Sequence, residues 1–209
     1  MKKAILLLLT LALTMLPVLS ASAESNDEQL DSHAIAQRFE EINSKYKINE
    51  RFSDEDAEFV KKYAIPAQPS EQPEVSIQSF WDGNTKFSLS GSGAVGQNST
   101  VQTVGYIEVQ LGLVSASINF SMTANDINKK YHSKFDNEIK FAGYGLLGSD
   151  GIGITVDRTY TNPKSNVNYN KYQDNDSVLG NLMYYQVSAK VSVSDPGLNK
   201  SIPVTLTKY

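Results

Sequence analysis

Two histidines, no cysteine and a scatter of carboxylates are all that this 209-residue chain offers for acid–base, nucleophilic or metal chemistry. His33 stands near the start of a helical pattern and His132 within "NKKYHSKFDNE". Neither has a second histidine at metal-pair spacing or a nucleophile motif beside it, so both are expected as ordinary surface or capping residues. Without cysteine there is no thiol nucleophile, no Cys-ligated zinc and no disulfide framework. Glu74, Glu108 and Glu138 are spread along the chain. A glycosidase needs two carboxyls at a defined separation, which sequence does not fix. No catalytic motif is present, and the chain is read as a non-enzyme. Asp174 and Asp176 in "DND" carry the hard oxygens that calcium prefers, as does "SDG" at 149–151, but neither has EF-hand spacing. Asp, Asn and Gly also build turns, which is the expectation here; calcium is the lesser one, and no other cofactor is implied. The glycines of "GSGAVG" and "GYGLLGSDGIG" lead into no phosphate-facing helix, and sheet bends account for them.

The most distinctive stretch is Tyr160 to Ser177, "YTNPKSNVNYNKYQDNDS", with one Val and no Leu, Ile, Phe or Met. Its span from about Thr161 to Gly180 reads as a long polar loop, and loops of this length are commonly functional. Tyr gives rigid amphipathic contact area, and Asn gives adaptable hydrogen bonding. Tyr160, Asn162, Asn166, Tyr169, Asn170 and Tyr172 are therefore the candidate binding residues, with Trp81 as a possible further aromatic surface. The competing expectation is that the tyrosines pack back on the sheet and the polar groups are merely solvated.

Elements must position these groups. Lys2 and Lys3, the apolar run "AILLLLTLALTMLPVL" and the small residues Ala21-Ser22-Ala23 form a signal-peptide pattern over 1–23, with cleavage expected after Ala23. The signal resembles those of proteins exported by Gram-positive bacteria, which implies a secreted, extracellular product. Its removal takes away two lysines and no acid, moving the formal charge from −4 to −6. Such a balance, without a basic stripe, argues against nucleic acid.

Residues 24–64 have helical periodicity. Ile35, Phe39, Ile42 and Tyr46 share one face, and Ser53 with Asp56 three residues later opens a second helix in capping-box style. Two such short helices are marginal alone and must dock on something. Residues 65–74, "IPAQPSEQPE", read as a stiff, proline-rich connector. Residues 75–209 read as antiparallel strands and turns. Asp82-Gly83 is a hairpin signal, and a parity switch beside Gly112 separates Ile107–Leu113 from Val114–Met122. "SDPG" at 194–197 turns the chain into a last strand. About eight strands without helical crossovers favour an antiparallel β-sandwich over a barrel. The fold class is thus mainly β, an antiparallel sandwich preceded by a two-helix segment.

The function these features favour is a secreted, non-enzymatic binding protein using a Tyr/Asn-rich loop on a β-sandwich. Its partner would be an extracellular protein or a cell-wall glycan, with membrane the less favoured partner. The alternative is a membrane-active toxin or bacteriocin-like factor, with the helical part as a pro-region and Gly105–Met122 as an inserting hairpin. An extracellular hydrolase with an unrecognised carboxylate pair comes third.

Overall fold

Period-two alternation from residue 84 onward does build strands, and the two helical patterns build helices. A computed structural model describes residues 30–67, 84–112, 114–149 and 151–209. The elements are α1 (Ser32–Lys45), α2 (Asp54–Tyr63), β1 (Ile65–Pro66), β2 (Asn84–Ala94), β3 (Thr100–Leu111), β4 (Ser115–Asp126), β5 (Lys134–Leu147), β6 (Gly151–Lys164), β7 (Tyr169–Leu179), β8 (Tyr184–Asp195) and β9 (Leu198–Lys208). All lie in the compact unit Ser32–Tyr209; of the preceding unit, Met1–Asp31, only Leu30 and Asp31 are described. The signal-peptide pattern, Glu74, Trp81, Asp82-Gly83, Asp150 and the connector from residue 68 onward fall outside the described residues.

The fold is mainly β. The long strands form one antiparallel sheet in the order β6-β5-β8-β9-β2-β3-β4-β7. It folds over at β9, whose first half (198–204) pairs with β8 and whose last residues (205–208) pair with β2. The two halves of the sheet face each other across one core, so the expected sandwich is realised as a nearly closed barrel. Where β9 leaves β8, the start of the expected connector takes its place: Ile65 and Pro66 pair with Tyr185 and Tyr184 as β1.

Inward-facing side chains are apolar in alternate positions. Phe87 and Leu89 of β2, Ile107 and Val109 of β3, Ile118, Phe120 and Met122 of β4, and Phe135, Ile139 and Phe141 of β5 are all buried in this core. Each such side chain contributes roughly 1.5–3 kcal/mol relative to an exposed one. The parity switch near Gly112 is a hairpin end: β3 stops at Leu111, and the Gly112 N–H donates to the Ser115 carbonyl at 2.7 Å. At the β8–β9 turn Pro196 precedes Gly197 with φ +76°, a conformation suited to glycine.

The helices dock on the sheet. Phe39 and Ile42 of α1, Val60 of α2, and Phe52 and Ala64 beside α2 are buried against Ala142, Tyr144, Ile152 and Ile154 of β5 and β6. This second core lies behind the sheet, on the face opposite the first. A bulge at Thr155 of β6, between the Gly143–Val156 and Tyr144–Ile154 pairs, switches that strand's parity, so Ile152 and Ile154 face this core while Val156 faces the first. Ser53 caps α2 by accepting the Asp56 N–H. The Asp56 carboxylate does not return the favour in capping-box fashion. It accepts instead from Arg38 (2.6 Å), Lys45 (2.8 Å), Tyr46 (2.7 Å) and the Ser53 hydroxyl (2.9 Å).

Candidate functional site

The Tyr/Asn segment is not a long loop; this expectation is corrected. Tyr160 and Asn162 belong to β6, Tyr169, Asn170 and Tyr172 to β7, and only the short turn at 165–168 intervenes. A sheet closing on itself has two edge strands to join, and here they are β6 and β7. No regular backbone ladder links them; amide side chains take over. Asn170 Nδ2 donates to the carbonyls of Asn162 (2.7 Å) and Phe135 (2.9 Å), while Asn162 Nδ2 donates to Asn170 Oδ1 and to the Lys171 carbonyl (both 3.1 Å). Asn137 Nδ2 reaches the Asn170 carbonyl at 3.0 Å. Asparagine fits because its amide carries donor and acceptor on a short stem. The polar composition therefore reflects an edge-to-edge seam.

The tyrosines divide in the same way. The rings of Tyr160 and Tyr172 pack on Phe120, with centroids 5.2 and 5.0 Å away. The Tyr160 hydroxyl donates to Asp176 at 2.9 Å. Burial, then the Asp176 carboxylate, push the Tyr160 hydroxyl pKa upward, so it stays a donor. Of the six candidates, Asn170 is buried, Tyr160, Asn162 and Tyr172 are half-buried, and only Asn166 and Tyr169 are exposed.

Asp174 and Asp176 are likewise engaged locally. Asp176 takes the Tyr160 hydroxyl and lies 4.0 Å from Arg158; Asp174 is approached by the Tyr172 hydroxyl at 3.5 Å. Among the described residues no three His, Cys, Asp or Glu side chains converge as metal ligands.

His132 overturns the expectation of a surface residue, being fully buried, whereas His33 is exposed as expected. Nε2 of His132 lies 3.0 Å from Asp126 Oδ2, and Nδ1 lies 2.8 Å from Asp195 Oδ2. Ser99 donates to the same Asp126 oxygen at 2.5 Å. Burial alone would raise the pKa of both carboxyls. Hydrogen bonds from Ser99, His132 and the Asn128 N–H outweigh it for Asp126, and those from His132 and the Ser133 N–H for Asp195, so both end below the usual value. Both ring nitrogens of His132 are thus engaged by carboxylate oxygens. Ser, His and Asp do meet here, but the serine bonds the carboxylate and the imidazole has no free nitrogen to act as base. The cluster is a clasp at one end of the barrel. It ties the β2–β3, β4–β5 and β8–β9 connections, and His132 also pairs through its backbone with Val167 in the β6–β7 turn. Nothing in the local sequence marks this, since Asp195 is 63 residues from His132.

The outer face of β9, β2, β3, β4 and β7 is covered by no helix of the described residues. Register places its side chains in rows. Thr207, Ser88, Tyr106, Ser121 and Gln173 form one row, and Ser90, Val104, Thr123 and Lys171 the next. Toward the turn end, Glu108 stands beside Asn119 and Asn175; toward the clasp end, Asn125 stands beside Tyr169. Glu108, expected on the outer face, is there, held by Asn84 (2.7 Å), Gln110 (3.2 Å) and Lys86 (3.4 Å). Hydrogen bonds from Asn84 and Gln110 lower its pKa. Asn119, Gln173, Asp174 and Asn175 line a shallow open depression at the β4–β7 margin. The Gly105–Met122 segment is a central hairpin here, with β3 and β4 each paired on both sides. Comparison with protein-family models, with curated proteins and with solved structures finds no match for this chain.

Proposed function

We propose that this chain is an exported, non-enzymatic binding protein that recognises a neutral glycan on the outer face of β3, β4 and β7. One observation carries this reading. The face is largely an array of Ser, Thr, Asn and Gln with Tyr106 and Tyr169 set into it; among its charges Lys86 and Glu108 pair with each other, and Lys171 adds one more. Short uncharged donors and acceptors at strand spacing suit the hydroxyls of a sugar polymer, and tyrosine faces suit its rings. A protein partner would more commonly present an apolar centre for a matching one here. Tyr169 is the member of the Tyr/Asn segment that contributes directly; Asn162 and Asn170 act by holding β7 in place.

The test is binding of the chain from residue 24 onward to an array of neutral glycans and to purified peptidoglycan. Wild type is expected to bind at least one neutral polymer. The triple substitution Asn119→Ala, Gln173→Ala and Asn175→Ala is expected to weaken this more than about ten-fold, as loss of several hydrogen bonds implies. The exposed, remote His33→Ala should leave it unchanged. Absence of binding to any of these polymers, or undiminished binding by the triple variant, refutes the proposal.

A further inference from the structure

The clasp end of the barrel is charged quite differently from the outer face. Lys129 and Lys130 sit in the β4–β5 connection, Lys134 opens β5, Lys164 ends β6 and Lys200 lies near the start of β9; all five are exposed. Backbone and side-chain bonds hold these segments at one end: Ile127 N–H to the Thr100 carbonyl (3.0 Å), Asn168 Nδ2 to the Lys129 carbonyl (3.2 Å) and Ser133 N–H to Asp195 (2.8 Å). Register adds Lys134 opposite Ser194, Lys164 opposite Phe135 and Lys200 opposite Val193.

Three aspartates share this end, and none is exposed. Asp126 and Asp195 bond the His132 ring, the charge of Lys130 also acts on Asp195, and Asp136 lies 3.7 Å from Lys134. The remaining four lysines form no ion pair among the described residues. Between them stand apolar and aromatic tips: Ile127 is 47% exposed, Tyr131 62% and Tyr169 52%. The sequence of one connection, Ile127-Asn128-Lys129-Lys130-Tyr131, puts both kinds of contact on a single loop.

Charges of both signs gather at the other end. Arg51 bridges to Gly153, and the Asn49 N–H bonds the Ile154 carbonyl, so the helical pair sits beside the start of β6, away from the clasp. Its exposed acids Glu41, Asp54, Glu55 and Glu58 pair with Arg38, Arg51 or Lys61, and Lys45, Lys47 and Lys62 are exposed beside them.

The geometry points to the clasp end as a docking surface for an anionic lipid bilayer, with lysines meeting headgroup phosphates and Ile127 and Tyr131 entering the interfacial layer. Clustered lysines are attracted to an anionic leaflet, and aromatic residues favour the headgroup level. Charge with a shallow apolar contact is the two-signal arrangement that gives reversible surface attachment. Docking by this end leaves the outer sheet face accessible from the side. A soluble anionic polymer would meet the lysines but gives no reason for the apolar tips.

Sedimentation of the chain from residue 24 onward with phosphatidylcholine vesicles, with and without phosphatidylglycerol, tests this. Binding is expected only to the phosphatidylglycerol vesicles and is expected to fall steeply with added salt. Lys129→Glu with Lys130→Glu should weaken it more than about ten-fold. Tyr131→Ala should weaken it less and leave a salt-sensitive remainder. All three sites are exposed, and unchanged melting of the variants verifies that the barrel is intact. The Asn119, Gln173 and Asn175 triple variant should bind vesicles like wild type, which separates this inference from the glycan reading. No vesicle binding, equal binding to neutral vesicles, an unaffected charge-reversal variant, or capture by soluble polyphosphate with none by vesicles would each overturn it.

Discussion

His132 ties Asp126 and Asp195 together through its ring and the β6–β7 turn through its backbone, and removing the ring leaves both carboxylates without their shared partner. His132→Ala is therefore expected to cost about 3–5 kcal/mol, the usual penalty for orphaning buried charge, measured by urea denaturation at neutral pH. The pH dependence gives a sharper test. In the wild type both carboxyls have folded pKa values below 3.8, so their contribution is present above that value and lost as pH falls through the lowered ones. In the variant the remaining desolvation raises them, so the deficit should narrow as pH is lowered; a deficit independent of pH would show that the ring acts only by filling space. Asp56 obeys the same sign. Burial pushes its carboxyl up, but hydrogen bonds from Lys45, Tyr46 and Ser53 and the charge of Arg38 hold it at about 2. At 1% side-chain exposure this depression corresponds to about 2 kcal/mol of stability above pH 3.8, lost as pH falls through about 2. Asp56→Asn should remove that much at neutral pH and flatten the acid limb of the stability profile, followed by the same denaturation.

At the scale of elements, the barrel depends on how well β6 and β7 are joined. Asn170→Ala removes both carbonyl contacts of its amide nitrogen and the acceptor for Asn162, leaving buried carbonyls unsatisfied. A loss of about 2–3 kcal/mol is expected, with faster amide exchange concentrated in β6 and β7; uniform change across all strands would argue against a seam. Gly145→Ala is expected to destabilise for a different reason, because its Cβ would collide with the Asn181 backbone carbonyl. Strands and helices were legible in the sequence wherever burial follows a simple period: Phe39 and Ile42 mark the docked face of α1, and Ile118, Phe120 and Met122 mark the inner face of β4. The hairpin end beside Gly112 was legible as a parity switch. The seam was not, because β7 is an edge strand whose inner face at Asn170, Tyr172, Asp174 and Asp176 is polar where β4 opposite is apolar. Polar alternation on both faces looks like a loop until the neighbouring edge is in place.

For the whole molecule, the question is whether the helical pair is a separable part or a wall of the structure. Its docking was left open by the sequence, since an amphipathic helix face announces that it must be covered without saying by what. Here it covers Ala142, Tyr144, Ile152 and Ile154, with Phe39 stacked 6.1 Å from the Tyr144 ring, Phe52 edge-on at 5.9 Å, and the Tyr144 hydroxyl donating to Asn43. β1 follows α2 directly and pairs with the stretch of β8 that β9 has left, so the helices are also tied to the sheet through the backbone. Removing residues 1–64 would expose four buried side chains of the sheet and leave the Tyr144 hydroxyl without its partner. The shortened chain is expected to bind a hydrophobic dye, to melt at a lower temperature and to self-associate, because contiguous exposed apolar area of this kind is rarely tolerated by soluble monomers. Light scattering and dye binding at equal concentration decide it. A truncated chain that stays monomeric and melts like the parent would make the helical pair an accessory that function could shed. Aggregation or dye binding means that the pair is part of the barrel's outer wall, and that surface docking at the clasp end must proceed with the helices in place.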